Sequence, residues 1–385
     1  MKLTTRIAIR QLRSRHSFGF ISFSTILSIL GLAIGIASLI IISCISRGFS
    51  DIVNLKLSGI DGHIRIRSYM SDRIPTSKIA ELDSSIYQIS ENVKATSPYI
   101  EKHAIVRNGS FIEGIIVYGV PESALVNIFQ LNQFTSGTPH FDNNKSIIIG
   151  RKLSKSLNVK VGDKIMMVNV EKMAQEQILQ AQYLTVVNIF QTDFPEYDLL
   201  LGFIHIQTAD TFFGMDNAVS GLILNVDNPE HVELTDLKLA EEVGLYPYMT
   251  TTWKERHSGL LKWLTLYDIP IKLIMIFITA VGIFNIAASL WMIIIEKTRD
   301  FGILKSMGLS ANNIQRIIIK EGVYIGLSGA FGGIVLSLII LYLQITYQFI
   351  KLSSDIYFMD YLPVHPRLSY FIIYPLYNLK KLVYG

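Results

Sequence analysis

Ser17–Ser46 reads SFGFISFSTILSILGLAIGIASLIIISCIS, thirty residues without a charged side chain. A helix needs about 20 predominantly apolar residues to cross the roughly 30 Å hydrocarbon core of a bilayer, so this stretch is long enough to span. Two further charge-free runs follow, Leu273–Ile295 of 23 residues and Gly322–Ile350 of 29. The 385-residue chain is half hydrophobic and only 17% charged, against about 25% charged in soluble domains. It is therefore predicted to be an α-helical membrane protein with three spans. The first run follows a basic stretch as a signal peptide would, but its apolar part exceeds the usual 7–15 residues. It is read as an uncleaved anchor.

The charges give the direction. Residues 1–16 carry Lys2, Arg6, Arg10, Arg13 and Arg15 and no acid, whereas 47–272 hold 21 basic and 26 acidic residues. Lys297, Arg299, Lys305, Arg316 and Lys320 crowd the segment 296–321. Basic loops stay on the cytoplasmic side, so 1–16 and 296–321 are expected there. The spans are then 17–46, 273–295 and 322–350, and the large middle segment 47–272 lies outside. Residues 351–367 follow the third span outside. Beyond them Leu368–Leu379 is apolar, broken by Pro375 and closed by Lys380 and Lys381. Its 12 residues cover about 18 Å as a helix, so 368–385 is expected to be an incomplete fourth span.

Span one places Ser24, Ser28, Gly31, Gly35 and Ser38 on one helix face, and span three places Gly322, Gly326, Gly329 and Gly333 likewise. Lipid provides no hydrophobic drive for helix association, so small faces that allow close backbone approach are how such helices hold neighbours. Two readings stand: packing within the chain, or a groove or seam toward another chain. Asn285, in the middle of span two, is a functional candidate at that depth or an interhelical hydrogen bond worth about 1 kcal/mol.

In 47–272, alternating runs predict strands over 63–67, 114–120, 146–149, 164–169, 184–190, 203–206 and 221–225. Helices are predicted over 75–89, 151–157 and 228–243. Their interleaving points to an α+β domain in which 64–110 and 215–250 pair across an inserted strand-rich unit. Catalytic signatures are missing. There is no GxxxxGK[ST] phosphate loop, no HExxH, no GxSxG elbow and one cysteine, Cys44. No enzyme activity, metal or cofactor is expected, and the basic residues form no nucleic-acid stripe.

Between spans two and three runs Glu296-Lys-Thr-Arg-Asp300-Phe-Gly-Ile-Leu-Lys305-Ser-Met-Gly308-Leu-Ser310. Ile303, Leu304 and Met307 give a short amphipathic turn, Gly308 can end it in a left-handed cap, and Ser310 can cap the next helix. The segment is either a docking helix for another protein or a connector resting on lipid headgroups.

This elbow, with Phe284-Asn285-Ile286 and Glu321-Gly-Val-Tyr-Ile-Gly326, resembles the permease domain of FtsX/MacB-type ABC transporters. Phe20-Ile21-Ser22, Gly31, Gly35, Ser46-Arg47-Gly48-Phe49 and Gly59-Ile-Asp61-Gly-His63-Ile64 are similar to the first span and following turn of the LolC/LolE lipoprotein-releasing permeases. Tyr118-Gly-Val-Pro121, Ile149-Gly-Arg151-Lys-Leu153, Val161-Gly-Asp163 and Val187-Asn-Ile-Phe190 with Glu196-Tyr-Asp198 extend the likeness over about residues 5–365.

The resemblance implies a non-catalytic inner-membrane subunit working with a separate cytoplasmic ATPase (LolD-like) and a second permease chain, in a homo- or heterodimer. Such a complex takes lipoprotein substrates from membrane lipid and passes them to the periplasmic carrier LolA. It implies that Arg299, Asp300, Ile303, Leu304, Met307 and Gly308 form the ATPase-coupling helix. Ser24, Ser28, Gly31, Gly35, Ser38 and Asn285 would then line a lipoprotein groove or pack helices. The alternatives are an FtsX-like mechanotransmitter that moves no substrate and an inactive shortened remnant. Two departures from the family are visible. A complete fourth span is not reached by 368–385, and the loop 170–183 lacks the proline of the carrier-binding hook.

Overall fold

The structure is a computed structural model that describes residues 19–171, 180–229, 232–242, 247–353, 357 and 359–366. The basic N-terminus, most of the loop 170–183 and the segment 368–385 lie outside the described residues. The chain forms two compact units, Ile52–Leu261 with Leu352–Asp360, and the membrane-type remainder up to Asp51, Lys262–Lys351 and from Tyr361.

Three long apolar helices are present, Gly19–Asp61, Ser258–Glu296 and Ala311–Tyr347, each with a stretch long and apolar enough to cross a membrane. All three begin or end outside their charge-free stretches, the first continuing past Ser46, the second starting before Leu273 and the third before Gly322. The first continues because nothing breaks it and because Val53, Leu57 and Ile60 recur at helical spacing and are buried. In the second, Pro270 lies inside the helix. Within the helical unit, Leu32, Ile36, Ile40 and Cys44 pack with Ile286, Ala330 and Leu341.

The other unit is α+β. Its strands are β1 (Ile64–Ser68), β2 (Ile74–Pro75), β3 (Val93–Asn108), β4 (Phe111–Val120), β5 (Ser146–Gly150), β6 (Lys164–Asn169), β7 (Ala181–Phe190), β8 (Leu201–His205), β9 (Ala218–Val219), β10 (Gly221–Val226) and β11 (Tyr248–Thr252). Nine of them run β11-β1-β10-β3-β4-β8-β5-β7-β6, and β6 returns to pair with β3. The six strands from β3 to β6 thus close a ring, inserted between β3 and β10, and the expected pairing of 64–110 with 215–250 is found in β1, β3, β10 and β11. Tyr99, Tyr118, Phe129, Phe190 and Phe203 fill a shared core, with Phe129 and Phe203 edge-on at 5.0 Å.

Strand β3, 16 residues long, is missing from the sequence-based expectation because Pro98 and several charges interrupt its pattern. Proline is tolerated there because residues up to Tyr99 pair only with β10, and β4 takes over from Ile100; a proline needs an unpaired side. The run expected as strand through Ile206 ends one residue earlier, at His205, whose ring Nδ1 accepts from Gln207 N–H and caps the helix Ile206–Phe213. The predicted helices over 75–89, 151–157 and 228–243 appear as Thr76–Ile89, Arg151–Ser156 and Val232–Glu242.

Candidate functional site

The elbow is a nine-residue helix, Thr298–Ser306. Its C-terminus closes as a Schellman turn: Gly308 takes φ +90°, its N–H donates to Lys305 O at 3.1 Å, and Leu309 N–H donates to Leu304 O at 3.0 Å. That pairing satisfies carbonyls a helix end would otherwise orphan, and a side chain at Gly308 would be strained. Ser310 is the N-cap of the helix Ala311–Tyr347, but its side chain makes no capping bond; Asn313 and Ile314 N–H donate to its backbone carbonyl instead. The expected side-chain cap is thus replaced by ordinary helical bonding.

Arg299 and Asp300 are exposed, Leu304 is half-buried, and Phe301 is buried. Ile303 and Met307, one turn apart, are 52% and 78% exposed. Ile303 and Met307 are thus an exposed apolar pair on a short capped helix, with Arg299, Asp300 and Lys305 also exposed on it.

The small-residue set is placed on the first long helix, and part of it meets Asn285. A methyl group on Gly31 would lie 2.3 Å from Asn285 Nδ2, and one on Gly35 would lie 3.8 Å from Ile278. Ser28 is buried and Ser38 Oγ donates to Ile34 O at 2.8 Å; Ser24 lies on the helix, its side chain outside the described residues. The glycines of the third helix receive the adjoining face of the first. Leu32 side-chain atoms come within 2.7 Å of a Gly329 methyl position, and Ala33 O within 2.7 Å of one on Gly333. The elbow residues and the small-residue face therefore lie apart, on different helices.

A third site escapes sequence reasoning. Asp61, the last residue of the first long helix, accepts from Arg65 Nη2 at 2.6 Å and from Arg256 Nη2 at 3.0 Å, with His257 Nε2 at 3.1 Å. Arg256 and His257 immediately precede the helix Ser258–Glu296. Arg65, 2% exposed, also donates to Glu101 at 2.6 Å and to Tyr118 Oη at 3.0 Å, and its guanidinium lies 5.1 Å from the ring centres of Tyr99 and Tyr118. Arg67 closes the group on Glu101 at 2.6 Å. Burial pushes the Glu101 carboxyl up, but Arg65 and Arg67 outweigh it and hold it below the usual range. The visible signal was Ile64-Arg65-Ile66-Arg67, where arginines alternate with isoleucines that are themselves buried, so both faces of β1 are covered.

His63 in the same turn is held by β10. Its N–H donates to Leu224 O and Asn225 Oδ1, and its Nδ1 accepts from Val226 N–H at 2.9 Å. Gly62, at φ +68°, makes the turn, and any side chain there would strike Ile223. Burial, with Lys94 nearby, lowers the His63 imidazole from 6.5 to about 4. The unfolded imidazole takes up a proton near pH 6.5 while the folded one stays neutral to about pH 4, so stability drains away as pH falls through that window. The loss totals about 3 kcal/mol by linkage. Urea midpoints of the full chain in detergent should fall between pH 7.5 and about pH 4.5, and His63→Gln should flatten that fall. An unchanged slope in the variant would refute the assignment.

Among the described residues no group of three or more His, Cys, Asp or Glu side chains could hold a metal. Comparison with known proteins identifies the family. Residues 25–241, more than half the chain, match the MacB-like periplasmic core domain, and residues 272–376 match the FtsX-like permease C-terminal region. The chain is 26% identical over 383 residues to the lipoprotein-releasing system transmembrane protein LolC of Neisseria meningitidis, covering 93% of this chain and 88% of that protein. LolE of Haemophilus influenzae is 27% identical over 372 residues, with the same coverage. The solved periplasmic region of MacB from Actinobacillus actinomycetemcomitans aligns over 55% of this chain and 97% of its own, at 10% identity and a TM-score of 0.37. A MacB-like core between the first two of three long apolar helices, an FtsX-like region over the last two and the Lol relatives along nearly the whole length lead to one assignment: the chain belongs to the MacB/FtsX family of ABC transporter permeases, as a member of the LolC/LolE type.

Proposed function

We propose that this chain is the membrane subunit of a complex that extracts lipoproteins from the inner membrane and releases them toward a periplasmic carrier. A separate cytoplasmic ATPase drives the cycle, and a second permease chain completes the pair. The relatives' role in lipoprotein release supports the substrate class. The positive-inside distribution supports a cytoplasmic N-terminus and elbow, with 47–272 outside. The small-residue face of the first span is a helix-packing surface in this reading, with Gly31 seated on Asn285.

The observation that carries the reading is the exposed Ile303–Met307 pair on the capped elbow helix. In this reading it faces the cytoplasm as an apolar ridge for the ATPase to cover, with the exposed Arg299 and Asp300 on the same short helix. Met307→Asp would force a carboxylate into that contact, at a cost of several kcal/mol if it stays unpaired. The ATPase should then co-purify at least about tenfold less with the full-length chain, since about 1.4 kcal/mol is a factor of ten. ATP-dependent release of a triacylated lipoprotein from proteoliposomes should fall with it. Undiminished co-purification and release by the Met307→Asp chain would overturn the coupling assignment.

A further inference from the structure

The bend between the second long helix and the elbow carries a buried charge pair. Lys297 sits at that bend with φ −97° and ψ 10°, away from helical values. Its side chain is only 8% exposed, and Nζ lies 3.5 Å from Oε1 of Glu321, whose side chain is fully buried on the third helix. Beside Glu321, Gly322 lets the third helix approach Leu290 of the second, whose side chain comes within 3.1 Å of a Gly322 methyl position.

Backbone bonds continue on both sides of the bend. Lys297 N–H donates to Ile293 O at 3.0 Å, and Phe301 N–H donates to Lys297 O at 2.9 Å. The bend is thus a joint in a nearly continuous helix, and backbone bonding alone would let it flex. A buried ion pair is a poor way to add stability, because desolvation offsets most of the attraction and an apolar pair of similar volume often does as well. Its best-attested use is to fix register. Glu321 Oε2 has no hydrogen-bond partner among the described residues, so the carboxylate is committed to Lys297 through one oxygen. That arrangement specifies position more than it stabilises.

We propose that Lys297–Glu321 is the pin of the elbow. It ties the root of Thr298–Ser306 to the third helix, so that a push on the elbow moves the second and third helices together instead of being absorbed at the bend. This rests on the reading of the elbow as the ATPase-docking element. Both residues are positioning residues and touch no substrate.

The test uses the full-length chain in nanodiscs, in a Cys44→Ala background, with spin labels at Ser306→Cys and Tyr347→Cys, both exposed positions. Lys297→Met and Glu321→Gln should each broaden the distance distribution between the labels, a readout that needs no ATPase. With the ATPase present, each should lower lipoprotein released per ATP hydrolysed by at least about fivefold, the low end of a typical coupling free energy. The charge swap Lys297→Glu with Glu321→Lys should restore both readouts. Single variants with the parent distribution overturn the pin, as does a folded swap as broad as the singles. If the singles do not fold, the swap decides alone, and a swap that also fails to fold makes the pair a packing element and ends the proposal. A parent chain that releases no lipoprotein counts against the transport reading, and the label distances then judge the pin by themselves.

Discussion

Gly333→Leu should leave little or no correctly packed protein in the membrane. An ideal methyl at Gly333 would lie 2.7 Å from the carbonyl oxygen of Ala33 and 2.9 Å from Ile36 Cβ. The nearest atom belongs to backbone, so no rotamer change on the first helix can make room. The third helix would have to back away from the first, separating Leu32, Ile36 and Ile40 from Ala330 and Leu341. Overpacking costs 1–3 kcal/mol where side chains can shift, occasionally more; against a backbone oxygen, about 3 kcal/mol or more is expected. In lipid no hydrophobic drive replaces the lost contacts. Size-exclusion profiles in mild detergent and limited proteolysis of membranes should show aggregation and degradation. Leu338→Ala, at a position 48% exposed, should behave as the parent. A monodisperse, protease-resistant Gly333→Leu chain would show that the first and third helices do not pack as described.

Asp61→Ala should produce the largest loss in the α+β unit. It removes the carboxylate on which Arg65, Arg256 and His257 converge and leaves Glu101 to face Arg65 and Arg67 alone. Breaking a buried pair by deleting one partner costs about 3–5 kcal/mol, because a charge stays buried without compensation. A cavity of about 380 Å³ lined by Tyr197, Arg256 and His257 admits water to the edge of the hole, which places the loss near 3 kcal/mol. Thermal unfolding of the full chain by circular dichroism should show the lower-melting transition moving down by several degrees, in line with about 4–8 °C per kcal/mol lost for small domains and less for larger ones. Asp61→Asn, which keeps an acceptor oxygen but no charge, should fall between. A melting curve unchanged in Asp61→Ala would mean that the arginines are satisfied elsewhere.

Much of this is legible in the chain. Charge-free runs of this length define helices because a single continuous apolar segment can satisfy its own backbone in lipid only as a helix, and Gly308 marks the end of the elbow because a left-handed residue is needed there. The Gly31–Asn285 contact is half legible: the residue types announce close packing, but only coordinates say which helix Asn285 faces. The Asp61 node is illegible for a different reason. Its members come from residues 61–67, 99–118, 197 and 256–257, and no local spacing links them. Lys297 and Glu321 are 24 residues apart, and each looks like one more charge in a cytoplasmic loop. Strand β3 was hidden by a proline that a change of strand partner makes harmless.

The ring of six strands leaves the rest of its domain through β3 and rejoins it before β10, while β1, β10 and β11 complete the other part of the sheet. The Asp61 node is anchored on β1, with Glu101 and Tyr118 supplied from the first residues of β3 past its change of partner and from the end of β4. The turn after Asn108, which joins β3 to β4, therefore hangs from the other ends of those two strands. Such loops lengthen or change sequence at small thermodynamic cost. The Asn108 turn can thus be rewritten alone, while the Asp61 node and the register beneath it stay as they are.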